Sequence, residues 1–157
     1  MQNFPIERPY EFGLVQAMWT LGKFPRELLP DVAAEAMVGG YDGPAVLALA
    51  SFHPPLLDGI EKSVELAFQE MGLLPLGRLQ AAVKVARYLA RRVVAGKTGA
   101  VVWCKAMGDY WTNEPNGATC RELGELYGLW LSFDEYPEDR MRTLRSMKEK
   151  AREWLTE

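Results

Sequence analysis

The chain has 157 residues and a mass of 17.7 kDa, a size usual for one domain, and no linker interrupts it, so a single core is expected. With 48% hydrophobic and 25% charged residues it is neither disordered nor fibrous. A formal charge of -3 and a pI near 5.3 argue against wholesale nucleic-acid binding, and one histidine with two cysteines excludes any site built on a histidine pair.

The segment Met1 to Pro9 lacks the basic stretch and apolar core of a secretory signal. The longest apolar run, Pro44 to Phe52, is too short to span a bilayer. A cytoplasmic location with reduced Cys104 and Cys120, and no membrane partner, is therefore expected.

Phe12, Val15, Trp19 and Gly22 follow helical spacing. Asp31 to Val38 predicts a short alanine-rich helix stopped by Gly39-Gly40. Asp42 is the expected N-cap of a helix with Pro44 in its first turn, ending near Ser51, after which His53-Pro54-Pro55 breaks the chain. Asp58 with Glu61 forms a capping-box pattern ahead of the stripe Leu57, Ile60, Val64, Ala67, Phe68 and Met71.

A long helix is predicted from about Leu76 to Ala95, facing inward through Leu79, Val83, Ala86, Ala90 and Val93 and closed by Gly96 as C-cap. Residues 93–103 admit two readings, because Val101-Val102-Trp103 also suits a strand and a hairpin around Gly96 to Gly99. Two helices are preferred, since an isolated hairpin is marginal and no other strand exists to pair with it. Thr119 with Glu122 makes a second capping box, ahead of Cys120, Leu123, Tyr127 and Trp130. Gly124 and Gly128 share a face of that helix, where they would admit a close neighbour. Pro137 suits the first turn of a last helix with the stripe Leu144, Met147, Ala151, Trp154 and Leu155. The fold class expected is all-α, a single-domain bundle of seven or eight short helices over residues 1–157.

Charge runs in blocks: residues 1–70 carry -6, 71–108 carry +7, 109–139 carry -7 and 140–157 carry +3. Lys84, Arg87 and Arg91 lie on one helical face as anion-binding candidates, suited to a phosphate backbone or an acidic partner. Consecutive blocks of opposite sign favour pairing within the molecule instead, so nucleic acid is not an expected partner. Gly96-Lys97-Thr98 shares its ending with a phosphate-binding loop, but Arg91 stands where the first glycine should be and a helix precedes the loop where a strand should.

Glu122 with Glu125 and Glu135 with Glu138 are carboxylate pairs at i, i+3, the spacing at which two oxygen ligands share a cation. They define the alternative of a magnesium-dependent phosphohydrolase. Pro137 separates Glu135 from Glu138, and acidic groups near helix starts also complement the dipole, so no metal and no cofactor is favoured. His53 reads as a loop histidine without a catalytic partner. No nucleophile elbow surrounds Ser51, Ser63, Ser132 or Ser146, and Cys104 beside Trp103 reads as packing.

The segment Asp109-Tyr110-Trp111-Thr112-Asn113-Glu114-Pro115-Asn116-Gly117 sets two large aromatics among acidic and amide groups. Asp109, Tyr110, Trp111, Asn113 and Glu114 are therefore candidates for binding another protein, with folding back to seal the core as the competing reading. Residues 29–36, leading through Gly40 to Leu47 and on to Phe68-Gln69-Glu70-Met71-Gly72-Leu73, together with Gly99 to Trp103, Phe133 to Arg140 and Ala151 to Leu155, resemble small helical bacterial proteins of an uncharacterised family. The resemblance implies an all-helical bacterial domain and carries over no catalytic residues. The function expected is non-enzymatic: a helical domain of adaptor or immunity-like character that binds another protein. Nucleic-acid binding by the basic helix is a weaker alternative.

Overall fold

The computed structural model describes residues 6–52, 59–114 and 119–156, and every regular element among them is helical. Among the described residues eight α-helices, with short 3-10 turns between them, gather into two compact units, residues 1–77 and 78–157.

The first unit holds α1 (Phe12–Thr20), a 3-10 turn (Arg26–Leu28), α2 (Leu29–Val38), α3 (Pro44–Ala50) and α4 (Ile60–Glu70). Helix α3 packs against both α2 and α4. Leu29, Val32, Ala36, Val46, Leu49, Ile60, Val64 and Phe68 are buried, as the spacing of the apolar residues predicts for α4. Leu57 and His53 lie outside the described residues, as does Asp58 of the expected capping box. The N-cap of α4 is Gly59 at φ +78°, a conformation natural only to glycine, and the Glu61 carboxylate accepts from Arg26 at 2.5 Å.

The start of α3 departs from expectation. Gly43, not Asp42, is its N-cap, and glycine has no side chain to cap with. Glu70, at the end of α4, supplies the missing acceptor: its two carboxylate oxygens take the amides of Ala45 and Val46, each at 2.9 Å. An anion against the positive end of the helix satisfies two of its orphan donors at once. A Cβ at Gly43 would collide with that carboxylate, so the glycine and the glutamate are one device.

The second unit holds α5 (Arg78–Val94), α6 (Ala100–Asn113), α7 (Arg121–Glu135), a 3-10 turn (Pro137–Asp139) and α8 (Arg140–Thr156). Helix α6 packs against α5, α7 and α8, and α8 against α5 and α7. Trp103 of α6 is fully buried, donates its indole N–H to the Ala86 carbonyl at 3.0 Å, and meets Trp154 of α8 edge to face at 6.2 Å. The hairpin alternative for residues 93–103 is not formed. Gly96 closes α5 at φ +74°, with Lys97 N–H bonded back to Arg92 O at 2.9 Å, and the chain then enters α6.

Three further expectations need correction. The buried face of α5 is Ala81, Ala82, Val85, Ala86, Leu89, Ala90 and Val93, whereas Leu79 and Val83 are only half-buried. Cys120, not Thr119, is the N-cap of α7, and it makes no side-chain cap bond. Leu155 of α8 is 36% exposed and so not part of the core, and Thr143 joins Met147, Ala151 and Trp154 on the buried face.

Replacing Glu70 with Ala should cost about 1 to 2 kcal/mol in urea unfolding, the usual penalty for losing a helix cap. Gly43→Ala should lower stability as well, by displacing the same carboxylate. Differential scanning calorimetry of the full chain is expected to give one cooperative transition, and two resolved transitions would overturn that expectation.

Candidate functional site

The aromatic segment at the end of α6 is built around α7. Gly108 brings the backbones together, since a Cβ there would stand 3.2 Å from the Tyr127 Cα and 2.9 Å from its ring. Trp111 stacks on Tyr127 with ring centroids 5.1 Å apart, and its indole fills the space over Gly124, where a Cβ would fall 2.9 Å from Nε1. Gly124 thus admits a close neighbour as expected. Gly128 meets nothing within 4 Å, so that expectation fails for it.

Tyr110 is 8% exposed, and its hydroxyl is buried with no hydrogen-bond partner. Burial, aided by Glu114 nearby, pushes its ionisation up to about 12. Glu114 takes a bidentate grip on Arg78 of α5, at 2.7 and 2.5 Å, and that hydrogen bond holds the guanidinium above its ordinary value. Asp109 and Asn113 face solvent. The two aromatics are therefore spent largely on packing, Glu114 on an ion pair, and only the small polar members of the segment are open. Asn116 and Gly117 lie outside the described residues.

The four glutamates do not converge. Glu122 stands on the first turn of α7, Glu125 on the next and Glu135 at its end, roughly 20 Å along the axis from Glu122 and roughly 15 Å from Glu125. Glu122 accepts from the Cys120 thiol at 3.5 Å. Glu125 is held below the usual carboxylate range, first by Lys150 at 3.0 Å and more weakly by Arg121. Among the described residues no three of His, Cys, Asp and Glu are placed to hold a metal ion. Lys84, Arg87 and Arg91 are exposed along α5 as expected, with the Arg91 guanidinium 5.8 Å from the Tyr88 ring. Cys104 is fully buried and its thiol is pushed up to about 12 by desolvation, so it serves packing.

Two large hydrophobic residues are exposed at the α7–α8 turn. Tyr136 is 51% exposed and Met141 77% exposed. The turn that presents them is braced: Arg140 Nε donates to the Phe133 carbonyl at 3.0 Å and lays its guanidinium 5.1 Å from the Phe133 ring. Arg142 pairs with Asp139 at 2.5 Å, and Tyr136 N–H bonds to Ser132 O at 3.1 Å. Asp134, Glu135 and Glu138 are exposed around it. Reading these carboxylates as ligands or dipole partners concealed the apolar residues between them; the signal was Tyr136-Pro137 followed by Met141 outside the buried stripe of α8.

The chain matches no protein-family model, no curated protein and no solved structure, so the resemblance to bacterial helical proteins rests on the residues quoted above. No described helix is long and apolar enough to cross a membrane.

Changing Tyr110 and Trp111 together to Ala should lower stability by at least about 3 kcal/mol, because a buried aromatic is lost and the Gly124 space is emptied. Tyr110→Phe should leave stability unchanged or raise it, since it removes an unpartnered buried hydroxyl. Tyr110 stays neutral in the fold, so its contribution is complete below the unfolded value of 10.0 and is lost as pH rises toward about 12. Denaturant titrations across that range should fall more steeply for the native chain than for Tyr110→Phe.

Proposed function

We propose that the chain is a non-enzymatic helical module that binds another protein through the α7–α8 turn. The observation that carries this reading is the exposure of Tyr136 and Met141 on a turn already fixed by Arg140 and Arg142. Aromatic residues, methionine and arginine are the types enriched at the centres of protein interfaces, and a braced turn loses little conformational freedom on binding. The acidic rim of Asp134, Glu135 and Glu138 selects a partner whose surface offers an apolar pocket bordered by lysine or arginine. The solvent-facing Asp109 and Asn113 supply no comparable apolar anchor.

Capture from a lysate of the source cells, with native and variant chains side by side, tests the proposal. Tyr136→Ala with Met141→Ala should weaken a specific captured species by about 2 kcal/mol or more, while unfolding free energy changes by less than about 1 kcal/mol. Identical capture by the two chains sinks the reading.

A further inference from the structure

A second feature of residues 78–157 lies apart from that turn and does not depend on the reading given to it. Between the end of α5, the start of α6 and one side of α8 is a half-open concavity of about 570 Å³. Its charged lining is wholly cationic: Lys97, Lys148 and Arg152. Lys148 and Arg152 stand at i, i+4 on α8, where like charges repel, and neither makes an ion pair with a described residue. Lys150 between them is held by both Glu125 and Glu153. In a chain with 21 acidic side chains, none lines this cavity among the described residues.

The backbone adds to the same field. Gly99 caps α6 without a side chain, the first turn of that helix has no acidic residue, and residues 97–101 all line the concavity. Val94, Val101 and Leu144 make an apolar wall beside the cations. We infer that this concavity binds a small organic phosphate, its phosphate between Lys148, Arg152 and Lys97 and its apolar body against Val94, Val101 and Leu144. A dianion suits two uncompensated cations better than a single carboxylate would, and the volume is that of a small-molecule site. The Gly96-Lys97-Thr98 turn thus takes part in phosphate binding without being a nucleotide-type phosphate loop: Arg92 Nε fixes Thr98 Oγ1 at 3.0 Å, and the ligand charge is met mainly from α8.

Isothermal titration calorimetry of the full chain with inorganic phosphate and with phenyl phosphate tests this inference. Both should bind saturably, phenyl phosphate more tightly through the apolar wall. Lys148→Ser with Arg152→Ser should weaken both at least about tenfold, while Lys84→Ser with Arg87→Ser on α5 should change neither. Gly99→Asp separates binding from folding. Its Cβ would meet only the Val102 side chain at 3.7 Å, and an aspartate there caps α6, so the melting temperature should rise while phosphate binding is lost. Absence of saturable binding, equal loss in the α5 variant, tighter binding by Gly99→Asp, or binding of a DNA oligonucleotide but of neither phosphate probe would each overturn the inference.

Discussion

The second unit depends on where one indole sits. Trp103 is the largest fully buried side chain, and burying it commits its N–H to finding an acceptor in an apolar interior. Ala86 provides that acceptor from its backbone carbonyl, and it can do so only because α5 presents alanine toward α6. Trp154 then closes the other side edge to face, so that α5, α6 and α8 are held by one side chain. Close approach recurs one helix further on, where Gly108 and Gly124 let Tyr127 and Trp111 pass between α6 and α7. In the first unit the equivalent constraint is electrostatic: α3 has too few residues and no capping side chain of its own, and Glu70 completes it from α4.

Period was legible and phase was not always. The stripes of α4 and α8 are read correctly at Val64, Phe68, Met147 and Ala151 because large apolar residues there have nowhere else to go. On α5 the largest apolar residues mislead: Leu79 and Val83 are half-buried while Ala81, Ala82, Ala86 and Ala90 face inward, since small side chains are what allow α6 and its tryptophan so near. Caps were the least legible elements. Asp42 and Thr119 occupy plausible cap positions by local pattern, yet α3 takes its cap from a residue far along the chain and α7 begins at Cys120. Local pattern cannot register a partner that only tertiary packing delivers.

The candidate surfaces follow the same logic. Tyr110 and Trp111 looked like a contact patch because aromatics in an acidic segment can serve either solvent or core, and nothing local chooses between them. Gly108 and Gly124 make the choice, by opening on α6 and α7 the space that Trp111 and Tyr127 occupy. At the α7–α8 turn the competition runs the other way. Pro137 ends α7 and starts the 3-10 turn, α8 buries Thr143 and Met147, and Met141 and Tyr136 fall outside that face.

The charge blocks show why a balanced sequence does not give a balanced surface. Exposed ion pairs such as Arg26 with Glu61 contribute little to stability, so they are not what holds the helices together. Their consequence is selective neutralisation. Two residues along an α-helix turn the chain by about 200°, so Lys150 faces nearly away from both Lys148 and Arg152. Glu125 of α7 therefore reaches Lys150 and not its neighbours Lys148 and Arg152, which stand beside the α5–α6 turn, part of a stretch from 71 to 108 that contains no carboxylate. Positive charge accumulates on that side of α8 because the described residues that line it with Lys148 and Arg152 are cationic or uncharged, while helical geometry turns Lys150 toward Glu125 on the other side.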